Sequence, residues 1–239
     1  MFLLCDFVLL VLILLVYLSA KEIFLKEWIH VIPAVLIPLP FFIAWEYFFN
    51  AWKISIYNEG RILGIHWFGI PMEVFLMLVL FPVLMLSVYF RTREIVVEVK
   101  RRAWPTFVSS LLLLATLIIL FMFHNRLYSA LISIFCAFAI LLRIWITPRK
   151  NLGIFYISFS LTLVPVILMQ IFLTAVPVVI FDQAETIGFC LYKMPVEIIL
   201  YYLFMFYLNV GIYDLRVKRK NRKMEIQNRE KDSETVRQA

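Results

Sequence analysis

Glycine is scarce in this chain. There are six in 239 residues, none arranged as Gly-x-Gly-x-x-Gly or as a phosphate loop, so no flavin, nicotinamide or nucleotide domain has its backbone cradle here. Cysteine is scarcer. Cys5, Cys136 and Cys190 are odd in number, far apart and set in apolar runs, which excludes a disulfide framework and fits small buried hydrophobes. His30, His66 and His124 are too scattered for a histidine-rich metal site. Charge is low too, at 16% against 64% hydrophobic residues, with a mean hydropathy of +0.92. Soluble chains carry about 45–50% apolar and about 25% charged residues. A soluble domain is excluded, and an all-α integral membrane protein without cofactor or metal is expected.

Seven stretches reach the roughly 20 residues that a hydrocarbon core of about 30 Å requires. They cover about 2–20, 29–49, 71–90, 106–123, 127–146, 152–180 and 195–213. The first lacks a basic leader, carries Asp6 instead, and exceeds a signal-peptide core, so it reads as a retained helix. Helix two holds Pro33, Pro38 and Pro40, and helix six Pro165 and Pro177. Such residues predict kinks whose freed carbonyls find partners inside the bundle.

Basic residues orient the bundle. With the N-terminus outside, 19 of the 23 Lys and Arg fall inside, nine of them between Arg216 and Arg237, as the positive-inside rule prefers. The expected location is a bacterial or archaeal cytoplasmic membrane, with residues 1–215 as one membrane domain and 216–239 as a basic cytoplasmic tail. That tail, polar and without apolar periodicity from Lys218 on, is expected to be disordered or a frayed helix. The net charge of +7 fits attraction to anionic lipid. With no interleaved aromatics for base stacking, it does not predict nucleic-acid binding.

The chain also repeats itself. An aromatic-acid pair (Trp45-Glu46; Phe181-Asp182) precedes a glycine-containing loop, and Pro-x-Glu then opens a helix closing near a tyrosine (Pro71, Glu73, Tyr89; Pro195, Glu197, Tyr213). This predicts a three-plus-one-plus-three parallel repeat, about 1–90 and 127–214, joined by a connector helix at 106–123. Glu73 and Glu197 would begin helices at the outer face, and Glu46 and Asp182 would end helices arriving there. Four carboxylates are thus expected to converge near the outer boundary, with Asp6 at similar depth. Proline at the first helical position marks a helix start. Ile70 and Met194 precede it, so no capping box accounts for either glutamate.

These segments resemble the integral-membrane, flavin-independent lycopene cyclases, whose two related halves occur as two subunits or fused. The matching residues are Trp45-Glu46, Phe49, Tyr57-Asn58, Gly64-Ile65 and Pro71-x-Glu73, then Asp182, Glu185, Gly188, Pro195-Val196-Glu197, Asn209-Val210 and Tyr213-Asp214. The chain departs from the pattern where a second acid usually follows Pro-x-Glu, having Val74 and Ile198, and where Lys53-Ile54-Ser55 replaces Gly-Val-Trp. The resemblance implies a redox-neutral isomerisation of a linear carotenoid. An acid protonates the terminal double bond, the next double bond attacks the tertiary cation, and a base removes a ring proton. Apolar surroundings favour the neutral acid that this needs, and a helix N-terminus favours the charged form. Glu73 and Glu197 are the candidate acid and base. Glu46, Asn58, Asp182, Trp45 and Asn209 are the candidate supporting or substrate-binding groups, Asn58 and Asn209 through bonds to backbone or carboxylate. Aromatic faces such as Trp45, Tyr201 and Tyr202 suit a passing cation.

Other functions fit less well. A retinal protein needs a lysine inside the last helix, and residues 195–213 have none. A prenyltransferase needs paired Asp-rich motifs, which are absent. A small-solute transporter suits the repeat but not the aliphatic and Phe-rich mid-helix positions. The remaining rival is a catalytically silent relative that binds carotenoid or scaffolds pathway enzymes. The expected partners are a linear carotenoid and the bilayer, with other pathway enzymes or self-association left open.

Overall fold

The computed structural model describes residues 2–19, 21–96, 104–146 and 149–238. Among the described residues there are eight α-helices: α1 (Phe2–Ser19), α2 (Lys21–Leu36), α3 (Leu39–Ala51), α4 (Met72–Ile95), α5 (Trp104–Met122), α6 (Leu127–Ile146), α7 (Arg149–Ala175) and α8 (Ile198–Gln238). Among the described residues seven spans are long and apolar enough to cross a membrane, α2 and α3 together making one, Leu25–Ala51. The chain is an all-α integral membrane protein. The break within that span is a proline effect. Pro38 lies just before α3 and Pro40 in its first turn, and neither has an N–H to continue the ladder. The Ile37 N–H closes α2 on the Pro33 carbonyl at 3.1 Å.

Three pairs of short strands cap one end of the bundle. They are β1 (Ser55–Tyr57) with β4 (Val179–Phe181), β2 (His66–Trp67) with β3 (Ile70–Pro71), and β5 (Cys190–Leu191) with β6 (Met194–Pro195). A constant spacing of 124 residues relates the two halves, carrying Pro71 onto Pro195, Glu73 onto Glu197 and Tyr89 onto Tyr213. The hairpins obey it to the residue, His66 facing Pro71 as Cys190 faces Pro195. Helix packing follows as well. α1 lies on α4 as α6 lies on α8, and across the halves α4 packs on α7 as α8 packs on α2. The connector α5 rests on α6 and α7.

The pseudo-twofold axis can be placed from one register. β1 pairs antiparallel with β4, Ile56 opposite Ile180, flanked by Ser55 opposite Phe181 and Tyr57 opposite Val179. Ile180 is the repeat counterpart of Ile56, so the axis passes between them, and the contact is isologous within one chain. Beyond the strands the Asn58 N–H donates to Val178 O at 3.0 Å and the Asp182 N–H to Ile54 O at 2.8 Å, again a symmetric pair.

One expectation is corrected and another is narrowed. Helix six does not reach residue 180. α7 stops at Ala175, because Pro177 disfavours helical backbone at Val176 and the β-branched run after it joins β4. Pro177 is therefore no kink, and Asp182 ends no helix. Of the two alternatives expected for the tail, disorder is not what the structure has: α8 runs unbroken for 41 residues to Gln238. Residues 216–238 lack Gly and Pro and are rich in Lys, Arg, Glu and Gln, good helix formers that extend an existing helix without a new nucleation cost. Lys100, Arg101 and Arg102, counted in the charge asymmetry, lie outside the described residues.

At the tail end of the bundle, the Tyr89 and Tyr213 rings meet edge to face with centroids 6.0 Å apart. The Tyr89 hydroxyl donates to Asp214 at 3.0 Å and that of Tyr213 to Glu27 at 2.7 Å. Arg143, the charge that interrupts the fifth hydrophobic stretch, is 7% exposed and donates to Asp214 at 2.8 Å. Its guanidinium also lies 5.1 Å from the centre of the Phe155 ring. Removing one member of such a pair strands the other. Arg143→Met is expected to cost about 3 kcal/mol, the low end for breaking a buried pair because Asp214 is partly exposed, read as thermal stability in detergent, and adding Asp214→Asn is expected to return most of it.

Candidate active site between the repeats

The two glutamates of the Pro-x-Glu motifs hold their own loops. Glu73 Oε1 accepts the Leu63 N–H at 2.6 Å, and Glu197 Oε1 accepts the Ile187 N–H at 2.5 Å. Donor and acceptor both obey the spacing of 124. Each carboxyl pins the segment before its hairpin to the start of a helix, the task that a capping side chain performs over shorter range. Pro71 lies immediately before α4, and Pro195 three residues before α8, so neither is the first helical residue. Glu197 also accepts from Ser129 Oγ at 2.7 Å. In the first repeat, α1 packs on α4 and brings Asp6 within electrostatic reach of Glu73. Asp6, Glu73 and Glu197 are all at most 2% exposed. Oε2 of both glutamates and both oxygens of Asp6 have no hydrogen-bond partner.

Asn58 and Asp182 are the next matched pair, and they build turns. Asn58 Oδ1 accepts the Gly60 N–H at 3.1 Å, as Asp182 Oδ1 accepts the Ala184 N–H at 2.9 Å. Asn58 also donates to Pro177 O at 3.2 Å, which ties the halves together. Asp182 is exposed. Asn209 is fully buried and donates to Met205 O at 2.6 Å. Both asparagines donate to backbone carbonyls.

Glu46 stands apart from all of these. Under the repeat its counterpart is Gln170, not Asp182, and Asp182 corresponds to Asn58. The four carboxylates share the strand-capped end but have different partners: two pin loops, one caps an exposed turn, and Glu46 faces a cavity on the pseudo-twofold axis. The cavity is about 40 Å³, space for about three waters at the roughly 10–15 Å³ that each needs. Repeat-related pairs line it: Glu46 with Gln170, Phe49 with Leu173, Ser55 with Val179, Tyr57 with Phe181 and Met77 with Tyr201. The alternation of β1 and β4 turns Ser55, Tyr57 and Val179 inward and leaves Ile56 and Ile180 on the outer surface.

The polar groups of this cavity are not symmetric. Tyr57 Oη donates to Glu46 Oε2 at 2.7 Å and Tyr201 Oη to Oε1 at 3.0 Å, so both oxygens meet a phenol. Burial, and then the Glu46 carboxylate beside it, push the Tyr57 phenol well above its ordinary range, which keeps it a donor. Around Gln170 the counterparts of these tyrosines are Phe181 and Met77; Gln170 instead donates to the Tyr202 hydroxyl. Trp45 stacks on Phe49 at 4.5 Å and lies 5.9 Å from the Tyr201 ring.

The pairing of Glu46 with Gln170 is not visible when the acids are matched to each other. Aligning the acids Glu46 and Asp182 with each other puts the repeat out of register, whereas the fixed spacing between the Pro-x-Glu motifs leads directly to residue 170. Ser129 gave no signal, being one serine in an apolar helix.

Comparison with known families gives a match over both repeats, residues 1–91 and 125–215, to the family described as lycopene cyclase. No curated protein and no solved structure matches the chain.

The loop-holding geometry has a direct consequence for stability. Glu197→Ala strands the Ile187 N–H and the Ser129 hydroxyl and is expected to cost about 1–3 kcal/mol. Glu197→Gln keeps an acceptor oxygen and is expected to hold most of that. Thermal unfolding in detergent separates the two.

Proposed function

The chain belongs to the lycopene cyclase family, and from that premise we propose that it closes an ionone-type ring on the end of a linear carotene by proton transfer, without change of redox state and without a cofactor. The observation that supports this most is a set of carboxyls set against apolar and aromatic walls at one end of the bundle: Glu73 and Glu197, at most 2% exposed, and the part-buried Glu46 of the axial cavity. Protonation of a polyene end creates a tertiary cation. Captured water would make an alcohol of it, so the reaction requires a site that is nearly dry, and aromatic faces attract the cation by roughly 0.5–2 kcal/mol. Glu73 and Glu197 are proposed to supply and accept the protons that the site uses, because each keeps Oε2 without a protein partner.

A second reading has its own observation. The positions where the family has a further acid are Val74 and Ile198, 1% and 4% exposed and part of the apolar core, which suits a silent relative that binds carotenoid or scaffolds other enzymes. Pigment analysis of a lycopene-accumulating bacterium expressing this chain decides between them. Monocyclic or bicyclic carotene is expected, and linear pigment despite verified membrane expression would establish the silent reading. In the same cells Glu73→Gln and Glu197→Gln are expected to cut ring formation at least about 10²-fold, the lower range for losing a general acid or base. Two fully active variants would remove both from the chemistry.

The charge asymmetry supports an orientation with the strand-capped end outside and the basic end of α8 in the cytoplasm. A reporter fused after Arg216 is expected to respond as cytoplasmic, and a periplasmic response would reverse the orientation.

A further inference from the structure

We infer that the axial cavity is the reaction chamber and that Glu46 is the group that delivers the proton there, so that one chain carries a single reactive site rather than one per repeat. The inference rests on the cyclase reading. It is carried by three differences across the pseudo-twofold axis: Glu46 against Gln170, Tyr57 against Phe181 and Tyr201 against Met77. A duplicated scaffold would give two identical half-sites facing each other over Ile56 and Ile180. Here one face has an acid with a phenol on each oxygen, at 2.7 and 3.0 Å, and the other has an amide that donates to the Tyr202 hydroxyl, with Phe181 and Met77 at the positions of the two phenols. Glutamine has no proton to give a double bond, so the two faces are not chemically equivalent.

The step balances at named atoms. The Glu46 O–H breaks as its proton forms a C–H bond at one carbon of the terminal double bond, leaving the tertiary cation. The next double bond gives its electron pair to the new ring C–C bond, and the cation moves to its far carbon. The Glu46 carboxylate then takes a proton from an adjacent ring carbon, which restores its O–H and forms the ring double bond. The carotene is isomerised and nothing is oxidised or reduced. The Glu46 carboxylate left after the first transfer is met at once by the Tyr57 and Tyr201 hydroxyls, stabilisation already in place where charge develops. Trp45 and Tyr201 offer ring faces to the cation. Neither Glu73 nor Glu197 lines this cavity. They bear on the reaction there by exchanging protons with Glu46 or through the loops they hold.

A chamber of about 40 Å³ is smaller than a carotene end group, so the substrate enters by displacing wall side chains. The route is marked by an aromatic seam from Trp45 to Phe135, Phe41 and Phe204, with centroids 5.3–5.7 Å apart along Trp45–Phe135, Phe41–Phe135 and Phe135–Phe204. Phe41 and Phe135 are only partly buried. This seam between α3, α6 and α8 leads outward from the cavity, and a conjugated polyene matches its flat apolar faces.

The experiment compares wild type, Glu46→Gln, Glu46→Asp and Tyr201→Phe in lycopene-accumulating cells, with ring content per unit of purified, monodisperse protein as the readout. Wild type is expected to make rings. Glu46→Gln is expected to lose at least about 10²-fold with unchanged detergent stability, Glu46→Asp to recover part of the loss, and Tyr201→Phe to fall about tenfold while still folding. Glu46→Gln within about tenfold of an active wild type overturns the assignment and leaves the cyclase reading standing. If Glu46→Gln does not accumulate, Tyr201→Phe decides, and full activity in it overturns the assignment. A wild type that makes no rings defeats the cyclase reading itself, and the proton-donor role with it.

Discussion

Ile56 and Ile180 face each other across three residue pairs of antiparallel strand, and the capped end of the bundle takes its arrangement from that register. Side chains alternate along a strand, so fixing this pair at the surface commits Ser55, Tyr57 and Val179 to the interior. A slip of one residue would turn Tyr57 outward and take the hydrogen bond from Glu46. The symmetric bonds Asn58 N–H to Val178 O and Asp182 N–H to Ile54 O extend the ladder at both ends. In hydrocarbon, irregular backbone is tolerated only where its polar groups are satisfied. This short ladder, the Asx-type turns of Asn58 and Asp182, and the loop carbonyls met by Arg61 and Arg126 together satisfy many of the polar groups between α3 and α4 and between α7 and α8.

Duplication explains the scaffold, and divergence explains the site. Positions that carry backbone geometry have stayed matched: Pro71 and Pro195, Glu73 and Glu197 with their loop N–H partners, Gly64 and Gly188 with φ of 75° and 84°. Positions that face the cavity have not. An acid has one place on the axis where it meets two phenols, and its repeat counterpart is an amide. A pocket on a twofold axis is shared by both halves, so a single substrate end meets both faces at once. Two acids on opposite walls would repel when ionised, and replacing one by glutamine removes that repulsion while keeping a polar group.

Much of this was legible in the sequence. Long apolar runs, positioned prolines and the twice-used Pro-x-Glu gave seven spans, the broken second span and the parallel repeat, because each rests on a local rule. The end of α7 was misjudged because hydropathy does not distinguish an apolar helix from an apolar strand, and Val176 to Phe181 is apolar throughout. For the tail, absent periodicity left disorder and helix both open, whereas extension of an existing helix needs only propensity. The site was half visible. The Pro-x-Glu motifs marked Glu73 and Glu197, but their burial and their engagement with Leu63 and Ile187 depend on loop closure that spacing does not reveal. Glu46 gains its setting from Tyr57 in its own half and Tyr201 in the other, a contact across 155 positions that no local pattern encodes.

The central claim is that a carotene end reacts on the axis, against Glu46. A structure of the chain in lipid nanodiscs with a linear carotene bound tests it most directly. The account predicts an opened cavity, with the terminal double bond beside Glu46, a ring face of Trp45 or Tyr201 against the adjoining carbons, and the polyene leaving along Phe135. A polyene seated beside Glu73 or Glu197, with the axial cavity still closed, would contradict it.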